Sequence, residues 1–479
     1  MGGGLLQLVA YGAQDVYLTG NPQITFFKVV YRRHTNFAME AIQQTFSGLP
    51  NFGNSVSCQI SRNGDLIHRT YLEVGIPSLA TPATYSYVNY LGLRLLKSVS
   101  IEIGGQQIDK HYSDWLYIWN ELSLPIGKRH AWETMVGADR DILNYSYNSA
   151  NTDGKEGNTS TTLYIPLEFW FCRNIGLALP LIALQYHEVK LKIDFETFAN
   201  CTYKYGDANN LTDTVKSLLN PNLWVDYIFL DTDERRKFAQ LSHEYLIEQL
   251  QFTGQEALSA SGSRIKLSFN HPCKELVWVG KIHQTNANWY NYTIPDKSSS
   301  SSILTSNPAN TFEFGYPDDT NFGITSANYK TLGSSNTGAA AVGAAIENQI
   351  LLDNVTPYDI STTAAIYTKN VNPFDNCLLQ LNGQDRFSVR KGNYFNLVQP
   401  YQHHTNIPLN RGINVYSFAL KPEEHQPSGT LNMSRIDTAT LAVTPLSGVG
   451  INNANIYIYA VNYNVLRILS GMGGLAYSN

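Results

Sequence analysis

Apolar residues recur at every second position through long parts of this sequence, and short turns rich in glycine interrupt the pattern. Residues 98–109 (SVSIEIGGQQID) alternate around two glycines, and residues 378–389 (LLQLNGQDRFSV) alternate around Asn-Gly. A third stretch, 55–74, carries Asn63-Gly64 between two alternating runs. Alternation places apolar side chains on one face of a strand, and both central residues of a type I′ hairpin turn need positive φ. The pattern predicts antiparallel strands with a hairpin at each of these turns.

Three pairs of segments resemble each other in the same order along the chain. The pairs are the turns at Gly105 and Gly383, the runs 177–191 and 427–441, and the runs 224–238 and 456–470. Their separation falls from 278 to 250 to 232 residues, as expected when two copies differ in loop length. The order predicts a tandem duplication of one all-β unit of about 200 residues, joined through the charged stretch 231–250. Many short strands with Gly and Asn turns favour sandwiches of the jelly-roll kind.

The composition is that of a large folded chain without the basic surface that nucleic-acid binding needs. The chain has 479 residues, of which 43% are hydrophobic and 15% charged, and its formal net charge is −5. Basic residues form only short clusters, at Arg32-Arg33 and at 235–237. A dedicated nucleic-acid protein usually shows a basic balance or a long basic face. We therefore expect no direct nucleic-acid partner.

Cysteine spacing and apolar runs limit the compartment. The five cysteines are odd in number and never closer than 29 residues, at positions 58, 172, 201, 273 and 377. This spacing favours reduced, mostly buried thiols in a reducing compartment over a disulfide framework. The longest apolar run, from Ile175 to Leu184, is interrupted by Pro180 and is too short to span a bilayer. We expect a soluble chain without a signal peptide.

Catalytic and metal-binding motifs do not emerge from the sequence. His187 and His243 are each followed by Glu, as in the HExxH zinc motif, but the second histidine is missing in both. None of the eleven histidines has an acid two residues later, and phosphate loops and nucleophile elbows are absent. His403-His404 is the one adjacent pair of ligand types, which we interpret as loop surface. We predict no catalytic, cofactor-binding or metal-ligating residue and no cofactor, so not an enzyme; a glycosidase with distant paired carboxylates is the enzyme alternative.

Four aromatic residues, Trp115, Tyr117, Trp119 and Trp132, are close in sequence. Aromatic platforms can bind sugars or bases. Trp115 and Trp119 are spaced by one helical turn, however, which is typical of a helix that packs on a sheet. We therefore predict that this set belongs to the core or to an interface.

Seven Asn-x-Ser/Thr triplets are candidates for N-glycosylation. They stand at Asn144, Asn158, Asn200, Asn210, Asn291, Asn354 and Asn432. Asn432 falls on a predicted strand, which makes it a poor acceptor. Asn144, Asn158, Asn291 and Asn354 fall in long loops, so we take these four as the glycosylation candidates.

The opening stretch LVAYGAQDVYLTGNPQITFFKVVYRRHTNF (8–37) resembles the N-terminal signature of major capsid proteins from large icosahedral DNA viruses, and is most similar to those of algal viruses. Further blocks that resemble this family are ISRNGDLI (60–67), GGQQIDKHYSDW (104–115), GLALPLIALQYHEVKL (176–191), WVDYIFLDTDERRKFAQLSHEYLIEQLQFTG (224–254), LNGQDRFSVRKGNYFNLVQPYQ (381–402) and VLRILSGMGGLAY (465–477). The blocks are long and keep their order. The region 281–376 departs most from the family.

The resemblance implies an all-β fold of two tandem eight-stranded antiparallel jelly rolls. It divides the chain into an N-terminal arm at 1–25, a first roll at 26–235, and a second roll at 236–479 with a long outer loop at 281–376. It also implies a homotrimer whose six rolls make a pseudo-hexagonal capsomer, with neighbouring capsomers and underlying minor capsid proteins as partners. The expected location is the outer shell of a virion that is assembled in the host cytoplasm, near an internal viral membrane, with glycans on outward loops. The alternative function is a jelly-roll virion surface protein that binds glycans or a receptor.

The apolar run Ile24–Tyr31 and the basic residues after it form the start of this resemblance. We expect the run to be the strand that leads into the first roll. Three basic side chains on an acidic chain are too few to hold a genome, and they attract membrane headgroups only weakly. We predict that Arg32, Arg33 and His34 lie at the inner base of the capsomer, against a minor capsid protein or a neighbouring trimer.

Overall fold

A computed structural model of the chain describes residues 7–10, 12–29, 31–79, 85–138, 161–204, 216–282, 289–295, 360–361, 364–365, 370–446 and 454–477. The chain divides into two compact units, Met1–Phe37 and Ala38–Asn479. Across the described ranges, no helix combines the length and the apolar character that crossing a membrane requires.

The first unit contains little regular structure. Helix α1 (Val16–Thr19) is a single turn, and residues 26–28 form another turn. Within the part of this unit that the structure describes, no strand precedes Phe37. The prediction of a strand over Ile24–Tyr31 is therefore wrong. Apolar character alone does not make a strand, because the backbone also needs a neighbouring strand to satisfy its N–H and C=O groups.

The strands between residues 37 and 230 build a first sandwich. They are β1 (Phe37–Gln44), β2 (Ser55–Gln59), β3 (Leu66–Ile76), β4 (Tyr85–Tyr87), β5 (Leu96–Ile103), β6 (Gln106–Tyr112), β7 (Thr161–Pro166), β8 (Leu179–Pro180), β9 (Val189–Phe195), β10 (Thr202–Lys204) and β11 (Leu219–Leu230). Sheet A has the order β1-β11-β3-β7, with β8 beside β3, and sheet B has the order β2-β9-β5-β6. The short strands β4 and β10 pair with each other.

The strands after residue 242 build a second sandwich. They are β12 (His243–Ala257), β13 (Ser263–Leu267), β14 (Pro272–Lys281), β15 (Ile294–Pro295), β16 (Ile360–Ser361), β17 (Ala364–Ala365), β18 (Asn370–Val371), β19 (Phe374–Leu381), β20 (Gln384–Asp385), β21 (Arg390–Lys391), β22 (Asn414–Ser417), β23 (Leu431–Asn432), β24 (Ala439–Pro445), β25 (Asn455–Leu469) and β26 (Met472–Leu475). Sheet C has the order β12-β25-β14-β22, with β23 beside β14 and β26 beside β25. Sheet D has the order β13-β24-β19-β20, with β21 beside β19.

The two sandwiches repeat one strand order. Strands β1, β11, β3 and β7 of sheet A correspond in sequence order and in position to β12, β25, β14 and β22 of sheet C. Strands β2, β9, β5 and β6 of sheet B correspond in the same way to β13, β24, β19 and β20 of sheet D. The duplication expected from the sequence is therefore present, strand for strand.

The three repeated segments fall on equivalent elements, and two of them are in register. The hairpins at Gly105 and Gly383 are equivalent, and β9 aligns with β24 at the expected separation of 250 residues. The third pair matches β11 with β25 but is out of phase. Val225 faces the core of its sandwich, whereas the expected partner, Tyr457, faces away from the core that Ile456 enters. An odd-residue shift moves every side chain to the other face of a strand.

Two of the three predicted hairpin turns are confirmed. Gly104 and Gly105 have φ values of 58° and 84°, and Asn382 and Gly383 have φ values of 50° and 79°. Each pair lies between antiparallel partner strands, β5 and β6 or β19 and β20. Positive φ at both central residues is the requirement of a type I′ turn.

The hairpin predicted at Asn63-Gly64 is wrong. Strand β2 belongs to sheet B and β3 to sheet A, so the turn connects the two layers of the sandwich and does not join two paired strands. Neither residue has a positive φ. Gly64 serves a different purpose, because a Cβ at this position would lie 2.9 Å from Cβ of Tyr227. Close approach of the backbone to a buried ring thus requires the glycine.

Helices in the second unit connect strands and cover sheet faces. They are α2 (Leu91–Leu95), α3 (Ser113–Ser123), α4 (Ile126–Val136), α5 (Trp170–Arg173), α6 (Phe198–Cys201), α7 (Thr232–Gln240) and α8 (Gln399–His403). Short 3₁₀ turns lie at Ile175–Leu177 and Met433–Arg435, and a π-helical turn lies at Tyr394–Val398.

Helix α7 is the charged connector that joins the two copies. The Asp231 side chain accepts a hydrogen bond from Thr232 N–H at 2.8 Å and so caps the helix. Arg235 Nε donates to Asp65 Oδ1 at 2.8 Å, which fastens the helix to the first sandwich. The cap and the ion pair thus stabilise the helix that connects the two sandwiches.

All five cysteines are buried free thiols, as their spacing predicted. Burial disfavours the thiolate and raises the pKa of Cys58 to about 11. These thiols pack as small apolar side chains within the sandwiches.

Candidate assembly surfaces

Sheet C is covered on both of its faces. One face packs inside the second sandwich through residues such as Trp278. The opposite face presents Val277, Val279, Tyr459 and Val461 to the apolar core of the first sandwich. Tyr459 is only 1% exposed. The outer face of sheet C is therefore the main contact between the two sandwiches.

Helix α3 of the first sandwich lies against this face. The Trp115 ring is 5.5 Å from the Tyr459 ring and 6.0 Å from the Trp119 ring. Trp115, Tyr117, Trp119 and Trp132 are all buried. The prediction that these aromatic residues serve core and interface is confirmed.

A buried ion pair crosses the same contact. Lys281 Nζ, at the end of β14, donates to Asp114 of α3 at 2.8 Å, and Tyr292 O–H donates to the same carboxylate at 2.7 Å. Burial lowers the pKa of Lys281, and the Asp114 carboxylate opposes this shift. The ammonium also lies 3.9 Å from the centre of the Trp289 ring. Residues 289–292 are thus fixed to the first sandwich.

The edges of the two sandwiches meet at β6 and β12. Leu250 N–H donates to Asp109 Oδ1 at 3.0 Å, and Gln249 Nε2 donates to the Ile108 carbonyl oxygen. The Tyr112 and Phe252 rings make an edge-to-face contact at 5.0 Å. The edge strand β6 of sheet B is therefore covered by the edge strand β12 of sheet C.

Charged side chains are buried near this edge. Glu248 forms ion pairs with Lys274, which is fully buried, at 2.7 Å, and with Arg173 of the first sandwich at 3.1 Å. Burial alone would raise the pKa of Glu248, but Arg173 and Lys274 outweigh it and lower the pKa to about 2. The carboxylate therefore stays ionised and ties α5 to β12.

His404 is held between two carboxylates. Its Nε2 lies 3.1 Å from Glu275 Oε2 and its Nδ1 lies 2.9 Å from Glu423 Oε1. Burial would lower the pKa of this imidazole, but the two carboxylates, Glu275 first, raise it to about 9. Our interpretation of this histidine as loop surface was wrong. Each ring nitrogen lies beside a carboxylate oxygen, which favours the protonated ring, and a protonated ring has no lone pair for a metal.

Metal ligands are not clustered elsewhere in the part of the chain that the structure describes. No group of three or more His, Cys, Asp or Glu residues there has the arrangement of a metal site. His403 Nδ1 instead lies 2.9 Å from the Leu420 carbonyl oxygen.

A cavity of about 520 Å³ lies where α5 meets β12, and two of its lining residues are the carboxylates Glu248 and Glu423. Each is held by a cation, Glu248 by Lys274 and Arg173 and Glu423 by His404. A glycosidase needs one free carboxylate and one protonated acid. These two carboxylates are committed to ion pairs, so the cavity offers no support for the glycosidase alternative.

Among the described residues, nothing covers the outer face of sheet A as the first sandwich covers that of sheet C. Three aromatic rings cross it in a row from β7 to β11: Tyr164, Tyr71 and Trp224, with 6.4 Å between successive ring centres. Tyr164 is 40% exposed, and the other two are partly exposed. Trp224 Nε1 donates to Glu73 Oε2 on the same face. The sequence does contain a signal for this face: apolar residues stand at the outward positions of alternating strands, where polar residues are expected. Our prediction did not take this signal into account.

Two carboxylates and one guanidinium flank this aromatic row. Glu73 of β3 lies on one side of the row, and Asp226 of β11 and the exposed Arg69 of β3 lie together on the other side. Burial raises the pKa of Asp226, and His68 and Arg69 oppose the shift. We call this set of residues (Arg69, Tyr71, Glu73, Tyr164, Trp224 and Asp226) the aromatic face.

A basic hairpin lies at the free edge of sheet D. Residues 384–391, which contain β20 and β21, are exposed apart from the half-buried Phe387. Lys391 pairs with Asp375 at 2.9 Å, and the Arg390 guanidinium lies 5.1 Å from the centre of the Tyr394 ring. Arg386 is also exposed. Strands β20 and β21 both pair with β19, and we call residues 384–391, which turn back along it, the basic hairpin.

The first unit carries exposed apolar side chains. Ile24, Phe26, Phe27, Val29 and Tyr31 are between 71% and 99% exposed. Fully burying one such side chain is worth about 1.5 to 3 kcal/mol. A run of large exposed apolar residues is typical of a segment that binds a partner.

Arg32, Arg33 and His34, the predicted assembly contacts, follow this run and are exposed. His34 Nδ1 lies 2.7 Å from the Thr35 carbonyl oxygen. The structure holds one chain, so the partner of these side chains stays a prediction.

Of the four glycosylation candidates, one lies in the described part of the chain. Asn291 is half-buried, and its Oδ1 accepts from Thr293 N–H at 3.0 Å and from Thr293 Oγ1 at 2.6 Å. Its neighbours Tyr290 and Tyr292 are buried. Asn144, Asn158 and Asn354 lie outside the described residues, as does most of the region 281–376.

Comparison with known families matches both halves of the chain. Residues 25–231 match the family described as "Major capsid protein N-terminus". Residues 234–474 match the family described as "Large eukaryotic DNA virus major capsid protein".

Individual proteins are similar along their full length. The major capsid protein of Phaeocystis pouchetii virus is 48% identical over 535 residues, and that of Paramecium bursaria Chlorella virus 1 is 43% identical over 506 residues, with 100% of both chains covered in each case. The chain in a quasi-atomic model of the PBCV-1 virus capsid is 36% identical, with a TM-score of 0.67 over 95% of this chain and 100% of that one. The Faustovirus major capsid protein, at 15% identity and a TM-score of 0.64, shares the fold.

Proposed function

Because the chain belongs to the major capsid proteins of large eukaryotic DNA viruses, we propose that three copies of it form a capsomer of pseudo-hexagonal outline. The chain is a structural protein of the icosahedral capsid shell, and its two sandwiches form a double jelly roll. The proposal concerns how copies of the chain meet, and it assigns the chain no catalytic role.

The observation that carries the proposal is the strand-for-strand repeat of the two sandwiches. Two similar sandwiches in one chain let three chains present six similar edges, so near-hexagonal packing needs no six-fold axis. The copies are free to differ where their contacts differ. Contacts within a trimer would bury more apolar area, and contacts between trimers would be smaller and wetter.

The proposal also assigns regions of the chain to places in the capsomer. Residues 26–235 and 236–479 form the two rolls, residues 1–25 form the arm, and the loop at 281–376 faces outward apart from residues 289–292, which pack on the first sandwich. Glycans on outward loops, at Asn144, Asn158 or Asn354, lie on the virion exterior. Minor capsid proteins bind beneath the capsomer, on the side of an internal membrane, and assembly takes place in the host cytoplasm.

Light scattering on the purified protein tests the trimer. We expect a particle of three times the 53.5 kDa chain mass, and negative-stain images with a hexagonal outline. A monodisperse monomer at micromolar concentration would contradict the proposal.

The predicted contact of the basic residues Arg32 and Arg33 is tested separately with the double variant Arg32→Ala/Arg33→Ala. We expect trimers of this variant to stay intact and shell assembly to be impaired, because the two exposed guanidinium groups contact a neighbour outside the trimer. The matched control is Lys190→Ala/Lys192→Ala, which removes two charges from the exposed side of β9. If this variant failed to form trimers, or assembled as well as the control, the assignment of Arg32 and Arg33 to a contact outside the trimer would be wrong.

A further inference from the structure

The contact between the two sandwiches is formed by two surfaces, and each of these surfaces has a counterpart elsewhere in the molecule. The outer face of sheet C and its edge strand β12 pack against β6 and α3 of the first sandwich. The repeat makes sheet A and β1 the counterparts of sheet C and β12. It makes β20 the counterpart of β6, and residues 392–403, which contain the π-helical turn and α8, the counterpart of α3. Within the described ranges, sheet A and the β20 edge both lack such a cover.

We propose that the aromatic face of one copy binds the basic hairpin of a second copy. This contact would repeat between chains the contact that joins the two sandwiches within a chain. This inference rests on the proposed trimer, and it identifies the two surfaces through which neighbouring copies in the trimer bind each other.

The two surfaces are complementary in charge. The basic hairpin carries Arg386, Arg390 and Lys391 and a single carboxylate, Asp385. Two carboxylates and one guanidinium flank the three rings of the aromatic face. Guanidinium groups pack well on aromatic rings and donate paired hydrogen bonds to carboxylates. A hairpin that presents exposed arginines therefore suits a row of rings between carboxylates.

The contact inside the chain already uses this chemistry. Lys281, on the outer face of sheet C, lies 4.6 Å from the centre of the Tyr457 ring and pairs with Asp114. Arg94 of the first sandwich lies 3.6 Å from the centre of the Trp289 ring. Cations, rings and carboxylates from the two sandwiches thus alternate across the existing contact.

The geometry points to head-to-tail association. Each copy offers one aromatic face, on its first sandwich, and one basic hairpin, on its second. When two different surfaces bind each other, an open chain of copies always has one free aromatic face and one free basic hairpin. Both are bound only when the last copy joins the first and the ring is closed. The outer face of sheet A also ends in β1, an edge strand that is exposed along most of its length. Unpaired edge strands are usually covered in the assembled protein.

Charge reversal tests the pairing. The face variant is Glu73→Lys/Asp226→Lys, and the hairpin variant is Arg386→Glu/Arg390→Glu. In each variant, like charges oppose each other across the contact, so we expect the concentration of half-dissociation of the trimer to rise at least about tenfold. The matched control, Lys190→Glu/Lys421→Glu, reverses two exposed charges away from both surfaces and is expected to dissociate like the wild type.

Combining the four substitutions in one chain is the decisive step. An acidic hairpin then faces a basic surface, so opposite charges attract each other again across the contact. We therefore expect the concentration of half-dissociation of the trimer to return to within about threefold of the wild-type value. Circular dichroism and thermal melting of each variant at low concentration check that the monomer is folded.

The outcomes separate this inference from the proposed trimer. If both double variants formed trimers as stable as the control, or if the combined variant dissociated as readily as its parents, the pairing would be wrong while the trimer itself would stand. If the wild type were a monomer at micromolar concentration, the proposed trimer would fail and the pairing with it.

Discussion

Sheets A and C are built from equivalent strands, yet their outer faces have different surroundings. Strand β14 of sheet C, PCKELVWVGK, is buried at nearly every position. Its counterpart β3 in sheet A buries every second side chain from Thr70 onward and leaves the others partly exposed. The duplication preserved the backbone order, while the side chains of each copy changed with what its outer face contacts.

The two faces also treat polar groups differently. On sheet C, Lys281 is buried and its charge is balanced by Asp114. On sheet A, Glu73 and Asp226 are only partly buried. A covered face has to pair its charges internally, whereas an open face can keep charges for a partner.

The largest expected effect comes from truncating one tyrosine on each face. Tyr459→Ala removes a ring that is 1% exposed, and we expect it to lower the free energy of unfolding by about 3 to 5 kcal/mol. Tyr164→Ala removes a ring that is 40% exposed, and we expect a loss below about 1 kcal/mol. Urea unfolding of dilute, monomeric protein measures both. Equal losses would show that the two faces do not differ in burial.

An intermediate effect is expected from pH, through the covered sheet. Glu275 of β14 and Glu423 raise the pKa of His404 to about 9, above the usual 6.5. The fold therefore stabilises the protonated ring: the contribution is complete below the usual pKa and is lost as pH rises through about 9. We expect the free energy of unfolding to fall by on the order of 2 kcal/mol between about pH 7 and pH 9.5. His404→Gln removes the titrating group, so the variant should lack this fall; an equal fall in both proteins would exclude His404 as its source.

The smallest expected effect is spectroscopic and concerns the open sheet. Trp224 is one of seven tryptophans and is partly exposed, so iodide should quench its fluorescence in the monomer. The difference between the wild type and Trp224→Phe isolates its signal. If a second copy covers the aromatic face, this quenching should decrease when trimers form. Unchanged quenching would leave the face open in the trimer and would contradict the proposed contact.

The strands and the duplication could be predicted because they depend on local patterns. The turns at Gly104-Gly105 and Asn382-Gly383 were predicted from residues that tolerate positive φ, and both hairpins are present. Asn63-Gly64 carries the same local signal, but there the chain crosses between two sheets. Which strands pair depends on contacts far apart in sequence, and no local pattern contains them.

The charged contacts between the sandwiches could not be predicted for the same reason. His404 stands 129 residues from Glu275, yet their side chains lie 3.1 Å apart. Asp114 and Lys281 are 167 residues apart in sequence. The covered face of sheet C did leave a signal in the uninterrupted apolar run Leu276–Gly280 of β14, because a strand buried on both faces loses its alternation.

Helix α7 has a consequence for the statistics of assembly. For the proposed trimer, six separate rolls would lose translational and rotational freedom in five encounters, whereas three tethered pairs would lose it in two. A short tether also keeps its two ends at an effective concentration of about millimolar, however little protein the cell contains. The apolar face of sheet C therefore closes as each chain folds, and only the joining of whole chains depends on how much capsid protein has accumulated.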